Sequence, residues 1–186
     1  PVIAKEKLAD YIDCFCETGF FSPQEMETIC KAGMNYGLKP KLHVNQLNSI
    51  GGIESAIRLN ALSVDHLETM TDADIKNISQ PARKLIDNNC AVAIASDYNP
   101  GSSPSGNMNF VIALSCIQMK MLPEEAINAA TLNGAYAMEF EKELGSITKN
   151  KKANLIFTKP IPSIAYLPYS FGINLIDKVM INGMFI

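Results

Sequence analysis

Short apolar runs alternate with amphipathic stretches through the first third of the chain. Residues 11–17 are typical of a buried strand, and a helix start follows them at Ser22. Ser22 can cap the helix, Pro23 suits its first position, and Glu25 can reach back as the third residue of a capping box. Apolar residues then recur at helical spacing until Gly37. This pattern predicts one strand–helix unit.

Two further units of the same kind follow. Residues 41–44 predict a strand whose helix spans about 50–58, entered through Gly51-Gly52, and residues 62–66 predict the next strand, with a capped helix start at 71–74. Successive strand–helix units indicate a parallel sheet covered by helices. We therefore expect an α/β fold.

The alternation of predicted strands and helices is interrupted at Gln80-Pro81. There one predicted helical segment is followed directly by another, residues 82–88, without a strand between them. One unit is expected to be missing here. Residues 91–95 then predict a strand, and two helices are expected at about 108–120 and 123–138. The C-terminal residues no longer follow the strand–helix pattern. Residues 153–157 and 178–186 predict short strands, the second with an Asn-Gly hairpin turn.

Three of the predicted strands end in groups that can bind a metal or move a proton. His43 and His66 are the two histidines of the chain, and Asp97 follows the third strand. The carboxyl ends of parallel barrel strands open onto one shared mouth, so these side chains could converge. The pattern alone leaves two interpretations open, because a strand-end histidine can be a packing residue and an Asp before Asn-Pro-Gly can be a turn former.

Charge and composition narrow the class of protein. The net charge is −3 and the basic residues are scattered, so no nucleic-acid partner is expected. No apolar stretch has the roughly 20 residues of a membrane span, so no membrane partner is expected. Five cysteines without C-x-x-C spacing indicate reduced thiols in a cytoplasmic protein.

Specific segments of the chain carry a family resemblance. They are Lys41-Leu42-His43-Val44-Asn45-Gln46 with Gly51-Gly52, Val64-Asp65-His66-Leu67, Ala95-Ser96-Asp97-Tyr98-Asn99-Pro100-Gly101-Ser102, Leu122-Pro123-Glu124-Glu125-Ala126, Ala129-Ala130-Thr131-Leu132-Asn133-Gly134-Ala135, Gly145-Ser146-Ile147 and Lys152-Ala153-Asn154-Leu155. With these residues the chain resembles the C-terminal half of the imidazolonepropionases, a family of the amidohydrolase superfamily. The match extends over nearly the whole chain.

The resemblance implies the fold and its domains. Residues 1–145 would form the C-terminal part of a metal-dependent hydrolase (β/α)8 barrel of the TIM type. Residues 146–186 would form the C-terminal segment of a small β-sandwich domain. The break at Gln80-Pro81 falls where the family has a further barrel strand, which indicates an internal omission.

The resemblance also implies an enzyme and its site. His43 and Asp97 would bind one divalent metal per chain, zinc or iron, while His66 and Asp97 would be catalytic. The substrate contacts would be Gln46, Asn99, Gly101 and Ser102. The implied reaction is hydrolysis of the cyclic amide of 4-imidazolone-5-propanoate to N-formimidoyl-L-glutamate, a step of histidine degradation.

The chain departs from the family pattern in three respects. Gln46 replaces a residue that is often acidic, so this position cannot transfer a proton but can still form hydrogen bonds. Asn154 replaces an Asp and should affect local structure alone. The His-x-His pair of the first barrel strand lies outside the chain, so we expect the sequence to be part of a protein about twice as long and to be inactive by itself.

Two alternatives stay open at the level of sequence. Another mononuclear amidohydrolase, a cyclic amidase or a deaminase, could use the same His43, His66 and Asp97. The absence of a lysine at a matching strand end favours one metal over two. The second alternative is a non-catalytic α/β fragment that packs or oligomerises. Beyond a small-molecule substrate, the partner that the family implies is a second copy in a homodimer.

Overall fold

The computed structural model describes residues 2–69 and 82–186 and divides the chain into two compact units, Pro1–Gln80 and Pro81–Ile186. Each unit is described by itself. The helices and strands of the first unit are α1 Val2–Glu6, β1 Tyr11–Ile12, β2 Phe15–Cys16, α2 Pro23–Met34, β3 Lys39–Val44, α3 Gly52–Arg58 and β4 Ser63–His66. Those of the second unit are α4 Ala82–Asp87, α5 Met108–Ile117, α6 Pro123–Ala130, α7 Leu132–Ala137, β5 Leu155–Thr158, α8 Tyr166–Tyr169, β6 Ile176–Ile181 and β7 Met184–Phe185.

The sheet of the first unit is parallel, as the strand–helix pattern predicted. Its central strand is β3, which pairs with β1 and β2 on one side and with β4 on the other. The strand predicted over residues 11–17 is present as two short pieces, interrupted at Asp13 and Cys14. The register places Phe15 beside His43 and Val44 beside His66. The ends of three extended segments therefore lie side by side.

The core of the first unit lies between this sheet and helices α2 and α3. Side chains alternate along β3, and Leu42 and Val44 are completely buried against helix residues that include Met26 and Ile53. Full burial of such a side chain stabilises the fold by roughly 1.5–3 kcal/mol. His43, between two core residues of β3, consequently occupies the opposite face of the sheet.

Two helix starts show how local sequence fixes this unit. The capping box of α2 is present, because Ser22 Oγ accepts from the Glu25 N–H at 3.3 Å and Glu25 Oε2 accepts from the Ser22 N–H at 2.8 Å. Helix α3 begins at Gly52, later than predicted, because Gly51 has a φ of 93°, which is outside a right-handed helix. A Cβ on Gly52 would lie 3.0 Å from the Val44 side chain, so glycine lets α3 pack closely on β3. The helix start predicted at 71–74 falls outside the described residues.

The second unit contradicts one predicted strand. Residues 91–95 belong to no strand and join no strand ladder within the described part of the chain. Two of their backbone groups bond to helix residues, since the Ile94 N–H donates to the Ala129 carbonyl at 3.2 Å and Asn133 Nδ2 donates to the Val92 carbonyl at 2.7 Å. The strand prediction was wrong because an apolar run by itself does not make a strand, which also needs a neighbouring backbone to pair with.

The helix predicted over 123–138 is present as two helices, α6 and α7. They meet at Thr131, whose φ of −120° and ψ of −77° are not helical. The Thr131 hydroxyl donates to the Ile127 carbonyl at 2.7 Å, and such back-bonding by threonine bends helices. The periodicity continues across the bend, which is why the sequence predicted a single helix.

The tail forms a three-stranded antiparallel sheet in the order β5-β6-β7. The hairpin between β6 and β7 turns at Asn182 and Gly183, and both residues have positive φ, 49° and 82°. A two-residue hairpin of this type requires such angles, so the predicted Asn-Gly turn is confirmed. The assignment of residues 146–186 to a separate sandwich domain stays a prediction.

The cysteines are unpaired, and Cys14, Cys16 and Cys30 are buried in the first unit. Burial raises the pKa of Cys14 and of Cys16 to about 11, so neither thiol is a thiolate near neutral pH. These residues pack as small apolar side chains.

Within residues 2–69 and 82–186, no helix has both the length and the apolar character needed to cross a bilayer.

Candidate active site

The two histidines lie next to each other at the carboxyl end of the parallel sheet. Their ring centroids are 5.2 Å apart, with 44° between the ring planes. His43 is in β3 and His66 ends the adjacent β4. The φ of His66 is 79°, a backbone conformation that costs a non-glycine residue on the order of 1 kcal/mol. The structure thus brings together two residues that are 23 positions apart in the sequence.

A carboxylate fixes the orientation of the His43 ring. Asp13 lies at the break between β1 and β2, and its Oδ1 and Oδ2 are 2.9 Å and 2.8 Å from His43 Nδ1. A carboxylate accepts hydrogen bonds, so Nδ1 is the donor of this pair, and in the neutral ring the lone pair is then on Nε2. The edge of Phe15 packs on the same imidazole, with ring centroids 6.2 Å apart. His43 therefore presents one nitrogen as a ligand or proton acceptor.

His66 has a similar partner on its own loop. Its Nδ1 is 3.2 Å from Glu68 Oε1, while its side chain is 14% exposed, against 38% for His43. The same reasoning leaves His66 Nε2 able to accept a proton. Both histidines are held at Nδ1 by a carboxylate, which is the usual arrangement for metal-binding and catalytic histidines.

A buried glutamate ties the end of β2 to the loop that follows β3. Glu17 is 1% exposed, and its carboxylate accepts from the N–H groups of Thr18, Leu47 and Asn48 at 2.8, 2.8 and 3.1 Å. The side-chain amide of Asn48 adds a bond of 3.0 Å. Burial raises the pKa of Glu17, but these hydrogen bonds outweigh burial and lower it to about 2. Glu17 is therefore an anion at neutral pH.

Gln46 lies in this loop and is half-buried. Its carbonyl accepts from the Thr69 hydroxyl at 3.3 Å, and the neighbouring Asn45 carbonyl accepts from the Thr69 N–H at 2.9 Å. Asn45 has a φ of 56°, and its buried side-chain amide has no hydrogen-bond partner among the residues that the structure describes. The chain thus turns sharply between His43 and Gln46.

The remaining predicted site residues form one turn of the second unit. Asn99 Nδ2 donates to the Asp97 carbonyl at 2.7 Å, to Asp97 Oδ2 at 3.2 Å and to Ser102 Oγ at 3.1 Å. Asn99 Oδ1 accepts from the N–H groups of Gly101 and Ser102 at 2.9 and 2.8 Å. Asp97 is exposed and has a φ of 47°. A single asparagine side chain therefore holds together Asp97, Gly101 and Ser102.

The predicted site residues thus form two groups, one in each unit. The first contains His43, His66 and Gln46, and the second is the turn that begins at Asp97. No three His, Cys, Asp or Glu side chains in the described ranges, 2–69 and 82–186, are arranged to hold a metal ion. That His43 and Asp97 bind one cation stays a prediction, as do the other assigned roles.

Sequence reasoning missed Asp13 and Glu17. Both lie in the apolar run that predicted the first strand, and two acidic residues in a buried strand were a detectable signal. Each contacts the segment around β3, with partners about 30 positions away.

Parallel strands with covering helices and a pair of histidines at the strand ends are features of α/β-barrel hydrolases. The profile of the amidohydrolase family matches residues 8–186. The chain belongs to the amidohydrolase family.

Its relatives include proteins named imidazolonepropionase. That of Flavobacterium johnsoniae is 56% identical and that of Christiangramia forsetii is 52% identical, both over 100% of this chain and 50% of the relative. The imidazolonepropionase of Parabacteroides distasonis is 40% identical over 98% of this chain and 49% of the relative. The chain spans about half the length of the curated relatives it matches.

The aligned stretch with the Flavobacterium johnsoniae protein is 206 residues long, although this chain has 186. That relative therefore has residues inside the aligned region that this chain lacks, in agreement with the predicted internal omission. The predicted position of the omission, Gln80-Pro81, lies outside the described residues.

Solved structures show the same partial α/β fold. An adenosine deaminase from Xanthomonas campestris with bound zinc has a TM-score of 0.73 at 18% identity, over 89% of this chain and 49% of that one. A Xaa-Pro dipeptidase has a TM-score of 0.71 at 19% identity, over 98% of this chain and 55% of that one. At these identities the likeness concerns the fold alone, and it confirms the predicted fold class.

Proposed function

We propose that this chain is the C-terminal half of an imidazolonepropionase, which hydrolyses the cyclic amide of 4-imidazolone-5-propanoate to N-formimidoyl-L-glutamate. The observation that carries the proposal is the 56% identity with the imidazolonepropionase of Flavobacterium johnsoniae along the whole of this chain. The geometry supports it, because His43 and His66 are adjacent and oriented by carboxylates.

We propose His43 and Asp97 as two ligands of one divalent cation, zinc or iron. The donor set fits such an ion, since His43 Nε2 is left free by the Asp13 contact and Asp97 supplies a carboxylate. The chemistry that a divalent cation supplies at this position is a lower pKa for water and a polarised scissile carbonyl. Asp13 keeps the His43 ring in the orientation and tautomer that such binding needs.

His66 is the proposed proton carrier. The oxygen of the attacking water forms a bond to the ring carbonyl carbon, His66 Nε2 takes the proton of that water, and the carbon–nitrogen bond of the cyclic amide breaks. His66 then returns the proton to the leaving nitrogen, so atoms and charge balance. Asp97 assists this proton transfer. Gln46, Asn99, Gly101 and Ser102 contact the ring or the carboxylates of substrate and product.

The test uses the full-length gene product with 4-imidazolone-5-propanoate as substrate. The wild type is expected to form N-formimidoyl-L-glutamate, and His66→Ala is expected to lower kcat by about 10²–10⁴ while the metal content is unchanged. Dihydroorotate is the control substrate and should not be hydrolysed. Hydrolysis of dihydroorotate in preference to imidazolone propanoate would indicate another cyclic amidase. Full activity of His66→Ala would refute its role.

A further inference from the structure

The peptide that joins Gln46 to Leu47 is held from both sides. Its N–H, which belongs to Leu47, donates to Glu17 Oε2 at 2.8 Å, and its carbonyl, which belongs to Gln46, accepts from the Thr69 hydroxyl at 3.3 Å. A peptide unit is planar, so two hydrogen bonds at its opposite edges fix the plane as a whole. The position of the Gln46 Cα atom follows from that plane.

The Glu17 side of this arrangement is the stronger one. Glu17 is buried, and its Oε2 also accepts from the Asn48 N–H at 3.1 Å, while Oε1 accepts from Asn48 Nδ2 at 3.0 Å. Hydrogen bonds to an ionised carboxylate are about twice as strong as those between neutral groups. The loop after β3 is therefore anchored through two consecutive residues, directly beside Gln46.

The backbone that precedes Gln46 is also fixed. Asn45 has a φ of 56°, and its carbonyl accepts from the Thr69 N–H at 2.9 Å. Thr69 thus contacts two consecutive carbonyls on the same side of the loop. The segment from Asn45 to Asn48 is fixed between Glu17 and Thr69.

We propose that Glu17 is a positioning residue, which acts through the Leu47 peptide to hold Gln46 where it contacts the substrate. This inference rests on the proposed function, because it takes the substrate contact of Gln46 from there. Glu17 itself, being buried, touches no substrate. Its effect should therefore be seen in substrate binding and should vanish when the Gln46 side chain is removed.

The experiment measures KM and kcat of the full-length protein with 4-imidazolone-5-propanoate. Glu17→Gln keeps the shape of the side chain but places an amide NH₂ against backbone N–H donors, so it should release the loop. We expect KM to rise about ten-fold with kcat within about three-fold. Gln46→Ala should raise KM as well, and the double variant should be no worse than Gln46→Ala alone.

The control is Ser22→Ala, which removes the hydroxyl that caps α2 in the same unit and whose hydrogen bonds are with Glu25. It should lower the thermal stability and leave KM unchanged. Thr69→Val is a second variant, which removes the hydroxyl on the other side of the peptide at constant size. It should also raise KM, by less than Glu17→Gln.

Additive effects in the Glu17 and Gln46 double variant would overturn the inference, as would an unchanged KM in Glu17→Gln or Thr69→Val. If Glu17→Gln does not fold, Thr69→Val alone decides the outcome. A wild type that does not hydrolyse the substrate would refute the proposed function, and the inference would fall with it. The two failures are thus distinguished by the wild-type measurement.

Discussion

Replacement of Gly145 by alanine tests how closely the segment after α7 packs on the corner between α6 and α7. Gly145 has a φ of 86°, where an L-residue is strained. A Cβ at this position would lie 2.7 Å from the Ala135 Cβ, 3.0 Å from the Thr131 carbonyl oxygen and 3.1 Å from the Leu132 Cα. These neighbours are backbone or short side chains that cannot move away cheaply.

The expected loss of stability is the sum of two effects. The left-handed backbone conformation costs alanine about 1 kcal/mol, and overpacking of the neighbours costs about 1–3 kcal/mol more. Gly145→Ala should therefore lower the free energy of unfolding by about 2–4 kcal/mol.

Two control glycines separate these effects. Gly183 has a φ of 82°, and no atom lies within 4 Å of the place that an added methyl group would occupy, so Gly183→Ala should cost about 1 kcal/mol for the backbone alone. Gly172 has neither a left-handed φ nor a close neighbour, so Gly172→Ala should be neutral or slightly stabilising. The assay is urea unfolding of the full-length protein. A Gly145→Ala variant as stable as Gly183→Ala would refute the packing argument.

Three further predictions concern charged groups. If His43 is a metal ligand as proposed, Asp13→Asn should weaken divalent-metal binding by about ten-fold or more, measured by competition with a chelator. Unchanged affinity would exclude a role of Asp13 in orienting the His43 ring for a metal. The pKa of Glu17 falls from 4.5 to about 2 on folding, so its ionisation stabilises the protein by up to about 3 kcal/mol above pH 4.5 and progressively less as the pH falls toward 2. The stability gap between wild type and Glu17→Gln should accordingly be smaller at pH 3.5 than at pH 7, and an equal gap would contradict the linkage. Arg83 forms a bidentate ion pair with half-buried Glu125, with N–O distances of 2.7 and 2.9 Å. Glu125→Gln should therefore lower the free energy of unfolding in urea by only about 0.5–1 kcal/mol. A loss above about 3 kcal/mol would show that the ion pair is far stronger than its partial exposure suggests.

The local patterns of the first unit predicted its structure well. The capping box at Ser22 and Glu25, the alternation along β3 and the strand end at His66 all depend on residues close in sequence. Such features follow from backbone geometry and side-chain periodicity, which act within a few residues. The parallel sheet was predicted for the same reason.

Features that depend on distant partners were not predictable in this way. Residues 91–95 have the composition of a strand, but backbone groups of Ile94 and Val92 bond to Ala129 and Asn133. The hydrogen bonds of Glu17 to Leu47 and Asn48 likewise join segments 30 and 31 positions apart. The pattern of apolar residues in a single sequence does not indicate which distant groups form hydrogen bonds with each other.

In the candidate site, too, local features could be predicted and contacts between distant residues could not. The patterns predicted that His43 and His66 end neighbouring strands and that Asp97 begins a turn, as the structure shows, because strand ends and turn residues are local signals. The carboxylate that orients His43 was missed, since Asp13 lies 30 positions away, at the break between β1 and β2. The proposed ligand pair of His43 and Asp97 depends on an arrangement that neither periodicity nor turn chemistry determines.

Metal analysis of the full-length protein tests the proposed centre most directly. Elemental analysis of the purified wild type should give about one zinc or iron ion per chain. His43→Ala and Asp97→Ala should each lose that ion, while His66→Ala should keep it. A full complement of metal in His43→Ala, or its loss in His66→Ala, would contradict the proposed roles of the two histidines.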